Sequence, residues 1–153
     1  MRMDINWADQ VQTQLQIMVA GPDDLSPSYF LGGLMINECQ NQRWQEGVDM
    51  IYRLLKSGIL KMVGAKEGDD LSDFFQGMAT HNPFNLDNDG VVIWMGQLLY
   101  ASEECKIMMR KYRLDNYDAL ICPAFIEEME TLFETAGVPW SEAPLIPIRF
   151  AKS

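Results

Sequence analysis

Apolar positions along this chain recur mostly at helical spacing. Between residues 4 and 20, Trp7, Val11, Leu15, Met18 and Val19 mark one side of a helix. Gln12, Gln14 and Gln16 lie away from that side, Asp4 stands where an N-cap belongs, and Gly21-Pro22 ends the pattern. Ser26-Pro27 reads as the cap and first residue of a second helix, carrying Tyr29, Phe30, Leu34, Met35 and Ile36. The Gly32-Gly33 pair inside it costs roughly 1 kcal/mol per glycine against alanine, which points to close packing or a kink. A third helix is expected over 44–56, with Trp44, Val48, Ile51, Tyr52 and Leu55 as its stripe and Ser57-Gly58 as its stop. Residues 59–63 are short and flanked by glycine, so they read as a strand.

A fourth helix near 71–80 turns Leu71, Phe74, Phe75 and Met78 inward, and His81-Asn82-Pro83 closes it. Turn residues fill 87–90, and the most apolar run of the chain follows at 91–100. Periodicity does not separate a buried helix from a buried strand there; the run is read as helical. A segment so apolar needs cover on most sides, which predicts that the neighbouring helices pack against it. Ser102 then caps a helix with Glu103 and Glu104 in its first turn and Arg110, Lys111 and Arg113 near its end, as the helix dipole favours. Pro123 opens a last helix reaching about residue 136, stopped by Gly137. The proline-rich remainder, 137–153, reads as an extended arm whose residues 145–150 are expected to form an edge strand beside 59–63. The fold class is mainly α (α+β): a single-domain bundle of five to six helices over residues 1–153, with a short two-stranded β element.

Composition sharpens this. A length of 153 residues suits one domain that buries roughly two thirds of its unfolded surface. A hydrophobic fraction of 48% and a charged fraction of 22% are those of a globular chain. The formal charge of -10 is unevenly spread, with eight acids and no base from Glu67 to Glu104, and seven more acids and no base from Asp115 to Glu142. Free nucleic acid and anionic membranes would be repelled and are not expected partners. Cys39, Cys105 and Cys122 form neither a CxxC nor a metal-ligand spacing, and their odd number argues against a disulfide framework. The start of the chain carries no signal peptide, and no apolar run reaches the roughly 18 residues a bilayer requires, so a reducing cytoplasm is expected.

Candidate chemistry is sparse. Asn85, Asp87, Asp89 and Gly90 match the opening of an EF-hand loop, but Gly96 stands where the bidentate glutamate belongs, so the stretch reads as a turn. His81 is the one histidine; a helix end is its ordinary place, and a small enzyme using His81 or a carboxylate pair is the alternative it leaves open. The chain lacks the GxSxG, GxGxxG and GxxxxGK[ST] patterns, and no catalytic residue, cofactor or metal is expected. Glu127, Glu130 and Glu134 form an acidic stripe on the last helix, opposite Phe125, Met129, Leu132 and Phe133. Asp69, Asp70 and Asp73 make a second acidic group. Either set is a solvated face or the complement of a basic partner.

The segments SGILKMVG, DGVVIWMGQLLYAS, KYRL and FIEEMETLFETAGVPWSEAPLIPI, in that order over roughly residues 50–148, resemble the small immunity proteins of bacterial polymorphic toxin systems, those of contact-dependent growth inhibition above all. The resemblance implies a non-enzymatic inhibitor that binds the C-terminal toxin domain of a sister or neighbouring cell, often a basic nuclease. It supplies no binding residue by motif. The candidate partner-binding set therefore comes from charge: Asp69, Asp70, Asp73, Glu127, Glu130 and Glu134, with Trp140 as an exposed aromatic anchor. The remaining alternative is an adaptor or regulator of another basic partner, or a nucleic-acid mimic.

Overall fold

The computed structural model describes residues 1–21, 23–31, 39–117 and 120–149. Among these, six helices and a two-stranded antiparallel sheet make the fold mainly α with a small β element. The helices are α1 (Ile5–Ala20), α2 (Gln40–Lys56), α3 (Ser72–Thr80), α4 (Asn88–Val91), α5 (Glu103–Lys111) and α6 (Pro123–Thr135); the strands are β1 (Leu60–Met62) and β2 (Leu99–Ala101).

Local chemistry accounts for several of these boundaries. The Asp4 carboxylate accepts from the Asn6 N–H at the start of α1, and Ser102 Oγ accepts from the Cys105 N–H at the start of α5. Pro123 occupies the first turn of α6, where its missing N–H would have had no helical partner. Gly137, at φ +79°, takes the left-handed position just past α6. One contiguous core joins the elements, with Trp44, Trp94, Phe30, Phe125 and Phe133 as its largest buried apolar side chains. The indole N–H of Trp44 donates to the Met78 carbonyl and that of Trp94 to the His81 carbonyl, so neither buried ring leaves a polar atom unmet.

Four expectations are corrected. Over the described part of the expected second helix the chain forms a 3₁₀ turn, Pro27–Phe30, rather than an α-helix, while Gly32, Gly33, Leu34, Met35 and Ile36 lie outside the described residues. That turn sits so close to α2 that a Cβ at Gly47 would stand 2.7 Å from Leu31 Cδ2 and 3.1 Å from the Phe30 carbonyl. Secondly, Gln12 and Gln16 face inward. Gln12 donates to the Leu120 carbonyl and accepts from the Cys122 N–H, and Gln16 donates to the Asn116 carbonyl. An amide offers both a donor and an acceptor, which is what the irregular backbone between α5 and α6 needs from α1.

Thirdly, the apolar run is no single helix. It passes from α4 through a π turn, Val92–Gly96, into β2. β2 supplies the partner of β1, in the register Leu60↔Ala101, Lys61↔Tyr100 and Met62↔Leu99. Lastly, the C-terminal arm is not an edge strand on β1. Asp49 Oδ1 accepts from the N–H groups of Leu145 and Ile146, while Gln45 donates to the Ile146 carbonyl and accepts from the Ile148 N–H. With Arg53 Nε donating to the Pro139 carbonyl, three residues at four-residue spacing on α2 hold the arm along that helix. Phe150 lies outside the described residues.

Candidate functional site

The π turn leaves one side of the apolar run uncovered. Ile93 packs on α3, where a Cβ at Gly77 would come within 2.8 Å of its Cδ1, and Trp94 is fully buried. Val91, Val92, Met95 and Leu98 point the other way, 45%, 66%, 48% and 38% exposed. Val63 joins them at 42% exposure, its N–H donating to the Leu98 carbonyl while Gln97 Nε2 donates to the Val63 carbonyl. Among the described residues, the expected cover over this run is therefore absent on one face. A patch of neighbouring apolar side chains rimmed by polar ones is the usual mark of a protein-binding surface, and π turns are over-represented at functional sites.

Acids border the patch along the chain on both flanks. The loop that leaves Val63 carries Glu67, Asp69 and Asp70 and enters α3 at Asp73, all exposed. Asp73 lies one turn before Gly77 and so shares the side of α3 that meets Ile93. Asp69 closes its loop by accepting from the Lys66 N–H, and Asp70 accepts from the Ser72 N–H and hydroxyl, bonds that hold its carboxyl below the ordinary range. On the other flank Asp87 and Asp89 open α4. The Gly90 N–H, and after it the His81 ring, lower the Asp87 carboxyl. Lys56, whose charge helps lower the Asp70 carboxyl, and Lys61 and Lys66 are bases of this region.

The second acidic group is placed differently. Glu130 is 6% exposed and turned inward, its Oε2 accepting from the N–H groups of Arg2 at 2.7 Å and Met3 at 2.9 Å. Glu134 pairs with Arg2 at 3.1 Å, and Glu127 with the N-terminal ammonium at 3.4 Å. The stripe on α6 is thus engaged by the N-terminal segment. Trp140 is half-buried rather than fully exposed, its ring over the Arg53 guanidinium at 5.1 Å.

Other candidates have local roles. His81 Nδ1 lies 3.0 Å from both carboxylate oxygens of Asp87, so the EF-hand-like stretch is a helix-opening turn tied to His81. Burial pushes the Cys105 thiol up to about 12, which leaves it without thiolate character at neutral pH. Among the described residues no group of three or more His, Cys, Asp or Glu side chains is arranged to hold a metal, and no helix is long and apolar enough to cross a membrane. Comparison with protein-family models, with curated proteins and with solved structures returns no match for this chain.

The residues that sequence reasoning missed are Val63, Val91, Val92, Met95 and Leu98. Their signal was present: the run is apolar on every side, whereas a short segment at the edge of a domain has a core on one side only.

Proposed function

We propose that this protein is a non-enzymatic inhibitor of the immunity type. It binds a basic protein partner, a toxin domain of nuclease-like charge, in the reducing cytoplasm, where the unpaired thiols of Cys39, Cys105 and Cys122 persist. The observation that carries the reading is the exposed patch of Val63, Val91, Val92, Met95 and Leu98 with its margin of Glu67, Asp69, Asp70, Asp73, Asp87 and Asp89. Burial of the apolar centre supplies affinity, and the acids speed encounter with a basic surface and select against acidic ones. Glu130 takes no part in this contact, because its carboxylate is committed within the fold.

The test is a side-by-side capture from the proteome of the source cells. It uses the wild-type protein, the Val92→Glu/Met95→Glu variant and the Asp69→Lys/Asp70→Lys/Asp73→Lys variant. One basic protein is expected on the wild type, absent from the patch variant and retained weakly by the charge variant. Its expression alone should arrest growth, with relief by the wild type and not by the patch variant. Identical retention by all three proteins overturns the docking face, and a retained protein that is acidic or harmless overturns the immunity reading.

A further inference from the structure

A cavity of about 1080 Å³ opens along α2, between that helix, the start of α1 and the C-terminal arm. Its walls include Trp7, Trp140, Arg43, Arg53, Glu46 and Glu142, a mixture of two indoles and both signs of charge. Arg53 is the unusual member. It is 2% exposed, and its Nη2 is buried with no hydrogen-bond partner among the described residues. Its Nε is taken by the Pro139 carbonyl at 3.2 Å, and one face of its guanidinium by the Trp140 ring. Asp49, one turn earlier on α2, spends Oδ1 on the arm; its charge acts on Arg53 from beyond ion-pair distance, and among the described residues no carboxylate lies within that distance of Arg53. A buried guanidinium with an unmet N–H and no ion-pair partner is a charge-assisted donor lacking its acceptor.

We propose that this cavity binds a small zwitterionic ligand of the amino-acid or short-peptide class, its carboxylate on Arg53 Nη2 and its ammonium group toward the carboxylates of the cavity. A monoanionic carboxylate fits better than phosphate. Asp4, Glu46, Asp49 and Glu142 outnumber Arg2, Arg43 and Arg53 around the space and would repel a dianion. Those same acids suit the ammonium end, and Glu142 and Asp4 are exposed at the mouth. Asn6, Gln10 and Gln42 also line the space and carry side-chain amides that peptide groups can pair with. Trp140, half-buried on the arm, covers Arg53 and has to shift for the carboxylate to reach it. This site uses none of the residues of the apolar patch and stands independently of the inhibitor reading.

The shift of Trp140 gives the readout. Tryptophan emission of the full chain is titrated with trialanine, with trialaninamide and with inorganic phosphate. Trialanine is expected to produce a saturable change, with trialaninamide at least about tenfold weaker because it lacks the charged acceptor. Arg53→Gln should remove that preference with the helical circular dichroism unchanged, and Arg53→Lys should restore part of it. No response to either peptide up to ~10 mM overturns the proposal. So does equal binding of acid and amide, or tighter binding of phosphate. Should Arg53→Gln fail to fold, the comparison of acid with amide on the wild-type protein decides alone.

Discussion

Glu130 and Asp49 are two carboxylates with most of their surface removed from water, and each accepts from two backbone N–H groups. Glu130 holds the backbone N–H groups of Arg2 and Met3 on one oxygen, so Glu130→Ala leaves both donors without an acceptor. A destabilisation of about 2 kcal/mol is expected, read as a lower urea midpoint, with no change in partner retention. Asp49 is buried enough that its carboxyl is raised above the ordinary value, the bonds from Ile146 and Leu145 and the charge of Arg53 offsetting only part of that. A raised acid binds its proton more tightly in the folded state. Its contribution to stability is therefore fully present below the unfolded value near 3.8 and is lost as pH rises through the folded one. Asp49→Asn keeps an acceptor for the arm and cannot ionise. Its stability relative to wild type should accordingly improve between pH 4 and pH 7, measured by urea unfolding at the two values; an unchanged or falling difference would refute the assignment. Neither behaviour was legible from the chain. Glu130 reads as one of three stripe acids because its partners lie 128 and 127 positions away.

At the scale of elements, ends with local causes were legible and pairings with distant ones were not. Asp4, Ser102 and Pro123 each satisfy or forgo an N–H within a few residues, so α1, α5 and α6 begin where spacing places them. β1 was equally visible, but a three-residue strand carries too little pattern to choose its partner. Two apolar segments competed for it. β2 wins because Leu25 flanks it on its other side, exchanging backbone bonds with Leu99, while Gln45 and Asp49 on α2 already meet the arm's backbone groups. The 3₁₀ turn teaches the same lesson through a glycine. Gly47 faces the backbone carbonyl of Phe30, which has little room to retreat, whereas Gly77 faces only the flexible end of Ile93. Gly47→Ala should therefore destabilise the protein by about 1–3 kcal/mol as an overpacked contact, and Gly77→Ala by less. Urea midpoints of the two variants decide the order, and a larger loss at Gly77 would mean that the turn yields more easily than the Ile93 side chain.

Over the whole molecule, charge and apolar exposure are distributed so that folding and binding draw on different residues. On α6, Glu130 is committed to the N-terminal segment, Glu127 and Glu134 form exposed ion pairs with it and Glu128 pairs with Lys111, while the α2 ladder holds the C-terminal arm; the loop before α3 and the opening of α4 supply the acidic borders of the apolar patch. The acidic imbalance was plain in the sequence; which acids remain available to a partner was not, because availability depends on where the two ends of the chain dock. This division makes the docking face separable from stability. Val92 and Met95 are 66% and 48% exposed, so Val92→Glu/Met95→Glu should leave the unfolding free energy within about 0.5 kcal/mol of wild type. The same change places two charges in the middle of the proposed interface, where a desolvated, unpaired carboxylate is costly, and should abolish capture of the basic partner at any salt concentration. The Asp69→Lys/Asp70→Lys/Asp73→Lys variant should act otherwise, slowing association and flattening its salt dependence while the complex, once formed, dissociates at close to the wild-type rate. Measuring association and dissociation at two ionic strengths separates the roles. If the charge variant alters dissociation alone, the acids are contact residues at the centre of the interface, and the apolar patch serves some other purpose.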